Sequence, residues 1–153
     1  MIESLFKTLF SALWDLVKFL FSFIFNKNGG KKSPKGISKQ TLNLITNEWE
    51  LINIDLKSKS PAVLKTALIR ADKSLDNLLK EISTGNTMGE RMIASKHLFS
   101  QHTYQKIWSG HKVRNSMVHD SGYEPQHYIL IEAIENLRSG VSELGVRVWI
   151  NII

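Results

Sequence analysis

The chain has 153 residues, of which 42% are apolar, 9% aromatic and 22% charged, enough for one domain with a core plus an appendage. It contains no cysteine, which excludes a disulfide framework and thiolate metal ligation and suits a reducing compartment. The net charge of +6 is uneven: residues 1–40 carry seven Lys against Glu3 and Asp15, whereas residues 41–153 carry 13 basic and 12 acidic groups, so bulk attraction to a polyanion is excluded as a basis for function in that larger part.

Residues 1–26 are read as a long amphipathic to hydrophobic helix, separate from the rest of the chain. The stretch 5–25 would be about 31 Å long as a helix, enough to cross a bilayer. With Ser4 just before it, its polar residues (Lys7, Thr8, Ser11, Asp15, Lys18 and Ser22) fall in one arc about 100° wide, and Leu, Phe, Ile, Val and Trp cover the other faces. A spanning helix burying this stripe against a second copy and a helix lying in the interface both fit the pattern. The first residues lack the basic region of a cleaved signal, and no small-residue cleavage site comes after them. Residues 27–37 are a basic flexible linker; with Lys39, the stretch from Asn26 holds five Lys, three Gly and a Pro and no acid. Such a cluster beside an apolar helix attracts anionic headgroups on the cytoplasmic side. The expectation is a membrane-associated protein whose remaining residues face the cytoplasm.

From Ser38 the apolar spacing is helical. Leu42, Leu44, Ile45, Trp49, Ile52 and Leu56 recur at threes and fours. Ser60-Pro61 is an N-cap with proline at the first helical position. It opens the clearest helix, with apolar residues at Val63, Leu64, Ala67, Leu68, Ala71, Leu75, Leu78, Leu79 and Ile82. Gly85 is expected to supply its left-handed cap. The run Thr87-Met88-Gly89-Glu90 reads as a capping box for a short helix through about Phe99. After a weak break at Ser100 to Thr103, a helix is expected from Tyr104 to Val118. Pro125 is expected to open the last long helix, with Ile129, Ile131, Ala133, Ile134, Leu137, Val141 and Leu144 facing inward. A kink is expected at Ser139-Gly140 and an end at Gly145. Residues 146–153 form an apolar tail that docks on the bundle or enters a dimer contact. No internal repeat and no strand-turn-strand pattern is read. The fold expected over residues 38–145 is an all-α, up-down bundle of about five helices.

The chemistry concentrates in Arg114, Asn115, three spacers and His119. Arginine offers a planar, permanently charged donor fork suited to phosphate oxygens. Histidine exchanges a proton near neutral pH. The pattern resembles the signature of HEPN domains: Arg, a polar residue, a few spacers, then His, near the end of the helix before the last long one. The flanking stretches Ala67 to Asp76, Met88 to Met92 and Trp108 with His111 to Asn115 fit the same resemblance, which covers residues 38–145. It implies a dimeric helical bundle with two motifs facing each other, and in active members a metal-independent ribonuclease. In such an enzyme the RNA 2′-hydroxyl attacks the neighbouring phosphate and leaves a 2′,3′-cyclic phosphate. On that reading Arg114, Asn115 and His119 are catalytic, and His111 and Lys112 assist in binding substrate.

The residues are consistent with that chemistry. His119 would move a proton, Arg114 would hold the charged phosphorane oxygens, and a dimer would supply the second histidine. On a continuous helix Arg114 and His119 stand about 140° apart, so they are expected to converge by the helix ending near Val118. His97, His102 and His127 lack metal-ligand spacing, so neither metal nor cofactor is expected. Asp72 and Asp76 are read as partners of Arg91 or Lys73, or as solvated. Trp108 is read as a core or dimer anchor. The partners expected are RNA or a nucleotide, the membrane and a second copy of the chain, in a toxin-like or defence role. The competing reading is a non-catalytic dimerisation, nucleotide-binding or scaffold module at the membrane.

Overall fold

In the structure, a computed structural model, four of the five described helices start after a small hydroxyl side chain, Ser38, Ser60, Thr87 or Ser100, that precedes an apolar stripe. The structure describes residues 36–148; the expected N-terminal helix, most of the basic linker and residues 149–153 lie outside the described residues. Among the described residues every regular element is helical: α1 (Lys39–Asp55), α2 (Pro61–Ile82), α3 (Met88–Ala94), a 3-10 turn (Lys96–Leu98), α4 (Gln101–His119) and α5 (His127–Glu143). No helix among them is long and apolar enough to cross a membrane.

The caps are local and mostly as expected. Ser38 Oγ accepts from Thr41 N at 3.1 Å, Thr87 Oγ1 from Glu90 N at 3.2 Å and Ser100 Oγ from Thr103 N at 3.3 Å. Glu90 completes its box one residue early, accepting from Asn86 N at 2.6 Å rather than from the N-cap. The expected break at Ser100 to Thr103 is instead the capped first turn of α4. The last helix begins after Gln126, two residues beyond Pro125. Gly85 has φ +140° but lies outside the helix end, where Ser83 is extended, so α2 closes without a left-handed cap. Gly145 does take the left-handed cap, at φ +86°. Val146 N donates to Val141 O and Gly145 N to Ser142 O, the paired bonds of a Schellman motif. The tail then docks on the bundle as far as it is described. Val146 and Val148 are buried, and Val148 O accepts from Arg138 Nη1 at 2.6 Å.

Helix α2 is the centre of the bundle and touches each of the other four helices. Its buried stripe (Leu64, Ala67, Leu68, Ala71, Leu75, Leu78 and Leu79) meets Ile45, Trp49 and Ile52 of α1 and Leu130, Ile134, Leu137 and Val141 of α5 in one core. Helices α4 and α5 lie closest. A Cβ on Gly110 would sit 2.7 Å from the Ala133 carbonyl oxygen, and one on Gly140 would sit 2.5 Å from Ile107 Cγ2. The expected kink residue Gly140 therefore serves close packing inside a helix that continues to Glu143.

Contrary to the reading of no internal repeat, α1–α2 and α4–α5 are antiparallel hairpins of like construction. Glu81, at the end of α2, accepts from Ser38 N at 2.6 Å, Ser38 Oγ at 2.9 Å and Thr41 Oγ1 at 2.5 Å at the start of α1. Glu143, at the end of α5, accepts from Ser100 N at 2.7 Å and Ser100 Oγ at 3.1 Å at the start of α4. Serine and glutamate are 43 residues apart in both clamps. In the same register Thr41 matches Thr103, Ile45 Ile107, Leu68 Leu130, Ala71 Ala133 and Leu75 Leu137.

Candidate functional site

Asp72 stands on the apolar stripe of α2, in helical register with Leu68, Leu75 and Leu79, and is 5% exposed. A carboxylate there must find partners, because burying an unpaired charge is costly. The partners come from α4. Beside the close-packed Gly110, His111 is also buried, and its Nδ1 lies 2.8 Å from Asp72 Oδ1. One turn further on, Asn115 Nδ2 lies 3.1 Å from His111 Nε2. Arg114 Nη1 donates to Asn115 Oδ1 at 3.0 Å, and Arg114 Nε is 3.5 Å from Asp72 Oδ2. That last separation is an ion pair rather than a hydrogen bond, so the buried Nε–H is left without an acceptor.

These four side chains form one wall of a cleft of about 660 Å³ between α2, the start of α3 and α4. Lys73, Lys112, His119 and Trp108 also line it. Lys73 and Lys112 are exposed and pair with no acid among the described residues. His119 is exposed, and neither ring nitrogen has a hydrogen-bond partner among the described residues. Asp76 also borders the cleft, but its charge is committed. Arg91 Nε and Nη2 donate to its Oδ1 at 2.8 and 2.7 Å, and Lys80 Nζ is 3.1 Å from Oδ2. The cleft therefore combines uncommitted cations, an unbonded imidazole and an aromatic wall, a set suited to an anion attached to a flat ring.

The five residues singled out in the sequence (His111, Lys112, Arg114, Asn115 and His119) all border this cleft. The expected route to it differs. Helix α4 ends at His119, one residue past the expected end near Val118, with Asp120 as C-cap, so Arg114 and His119 are both helical and border the cleft about a turn and a half apart. Arg114 is bonded to Asn115 and paired with Asp72, not with His119. Asp72 belongs to the site although the sequence motif does not include it, and it pairs with neither Arg91 nor Lys73. The sign that could have revealed it is its place on an otherwise apolar stripe, where a solvated acid does not belong. Trp108 is only partly buried. Its ring meets Tyr104 edge-on at 6.3 Å and His111 edge-on at 6.1 Å, at the rim of the cleft. Among the described residues no group of three or more His, Asp or Glu side chains converges as metal ligands would. Comparisons with protein-family models, curated proteins and solved structures gave no match to this chain.

Proposed function

We propose that the chain is a HEPN-like domain that binds and cleaves RNA without a metal ion, tethered to the membrane by residues 1–26 and acting as a homodimer on the cytoplasmic side. The observation that carries this reading is the joint presence in one cleft of Arg114, the unpaired Lys73 and Lys112, and an unbonded His119. Cleavage within RNA needs a proton taken from the 2′-hydroxyl, charge stabilised on the phosphorane and a proton given to the departing 5′-oxygen. Arg114 and the two lysines supply the positive field. His119 supplies one proton transfer, and a second His119 from the partner chain supplies the other. Trp108 offers a ring edge and face to a base.

The test is incubation of the full chain with RNA in the presence of a chelator. The products should carry 2′,3′-cyclic phosphate and 5′-hydroxyl ends. His119→Ala and Arg114→Ala should each lower the rate at least about 100-fold, the usual contribution of a proton-transfer or oxyanion-stabilising group. Absence of cleavage, or cleavage indifferent to both changes, overturns the enzymatic reading. One observation favours the non-catalytic alternative: Asp72 offsets part of the charge of Arg114. Stoichiometric nucleotide binding without turnover would establish that alternative.

A further inference from the structure

The polar ring behind the cleft fixes which of its two histidines is free to move a proton. The Arg114 guanidinium only donates, so the Asn115 atom facing it at 3.0 Å is the carbonyl oxygen. The other end of that amide, 3.1 Å from His111 Nε2, is then the NH2 group, which also only donates. His111 Nε2 must therefore be the accepting, unprotonated nitrogen. A neutral imidazole carries its proton on the other nitrogen, and His111 Nδ1 lies 2.8 Å from Asp72 Oδ1, the acceptor that such a proton requires. Donation runs one way around the ring, from Arg114 through Asn115 and His111 to Asp72, and the ion pair from Asp72 Oδ2 back to Arg114 Nε closes it.

We infer that Asp72, His111 and Asn115 are positioning residues that lock His111 as the neutral Nδ1–H tautomer and aim the Arg114 fork, leaving His119 as the proton-transfer histidine of the cleft. The ring geometry is independent of the substrate, whereas the catalytic consequence rests on the RNA-cleaving reading above. His111 has no spare lone pair: Nε2 is engaged by Asn115 and Nδ1 by Asp72. It is also buried, whereas His119 is exposed at the cleft. A residue in this ring therefore needs an acceptor and a donor in that order, not a titrating group. A glutamine amide supplies both and cannot act as a base at neutral pH.

Two measurements decide the matter. The first is long-range proton–nitrogen NMR on the ¹⁵N-labelled full chain, with the His111 signals identified by their loss in His111→Gln. The expected pattern has a protonated Nδ1 and an unprotonated Nε2. A protonated Nε2 overturns the ring assignment whether or not the protein cleaves RNA. The second compares RNA cleavage by His111→Ala, His111→Gln and His119→Gln. His111→Ala should lose about 100-fold, the scale of a misplaced catalytic group. His111→Gln should recover to within about tenfold of the parent, because the ring is rebuilt. His119→Gln should fall at least about 100-fold, because no proton can be moved. Loss in His111→Gln as deep as in His119→Gln makes His111 a proton-transfer residue and overturns the inference. A parent protein with no cleavage at all removes the RNA reading alone, and the NMR pattern then still decides the ring.

Discussion

Trp49 and His111 hold the same place in the two hairpins, eleven residues after the clamp serines Ser38 and Ser100, yet one plugs a core and the other builds a site. Trp49 is 1% exposed and has a single polar atom to satisfy. Its indole N–H donates to Ser74 Oγ at 2.9 Å, and the Arg138 guanidinium covers its ring at 4.7 Å. His111 has two ring nitrogens, and both need partners once it is buried. The same register also contrasts Asp72 with Ile134, both on the face turned to the core. Each hairpin thus carries one core filler and one polar residue, Trp49 and Asp72 in the first and Ile134 and His111 in the second, and the cleft forms where Asp72 and His111 meet. The backbone architecture is shared, and the number of polar atoms at two equivalent positions decides between filler and chemistry.

Exchanging residues between the equivalent positions tests this directly. Trp49→His should be the most damaging, costing about 3–5 kcal/mol, because it removes a large buried ring and leaves a second ring nitrogen without a partner. Chemical denaturation would measure it, and a loss below about 1 kcal/mol would show that the two positions are not under different constraints. Asp72→Ile, which copies the residue of the other hairpin, should cost about 1–3 kcal/mol by stranding the His111 N–H and the Arg114 guanidinium. Adding His111→Leu should recover part of that loss, since removing both partners of a buried bond is cheaper than removing one. Strict additivity in the double-mutant cycle would mean that the ring does not act as a unit.

The smallest effect concerns the clamps. The Thr41 hydroxyl and then the Ser38 backbone N–H, with a lesser part from the Ser38 hydroxyl, hold the Glu81 carboxyl below the ordinary glutamate value of 4.5 against the opposing effect of desolvation. A carboxyl whose folded pKa is lowered gives stability that is present above its unfolded value and lost as pH falls through its folded value. The melting temperature of the parent should therefore drop more steeply below pH 4.5 than that of Glu81→Gln, with the two curves parallel at neutral pH. Parallel curves throughout the acid range would show that the clamp carries no charge-dependent part.

The helices, most of their starts and the helix end at Gly145 are legible in the sequence alone, because caps and apolar spacing act between residues three to five apart, whereas the left-handed cap expected at Gly85 is taken up at Gly145 instead. The sequence also drew attention to Lys112, Arg114, Asn115 and His119, which sit together on one short stretch of α4. The end of α4 lies one residue beyond the place its sequence indicates, since helix ends fray and depend on what covers them. That Asp72 lines the cleft, that His111 is locked by two partners and that the two hairpins share one construction follow from how the helices pack. Asp72 and His111 are 39 residues apart, and their meeting is set by how α2 and α4 are aligned against each other in packing. Periodicity along one helix places a residue on a face, but it cannot say which residue of another helix will lie opposite, and the partners of a buried carboxylate depend on that alignment.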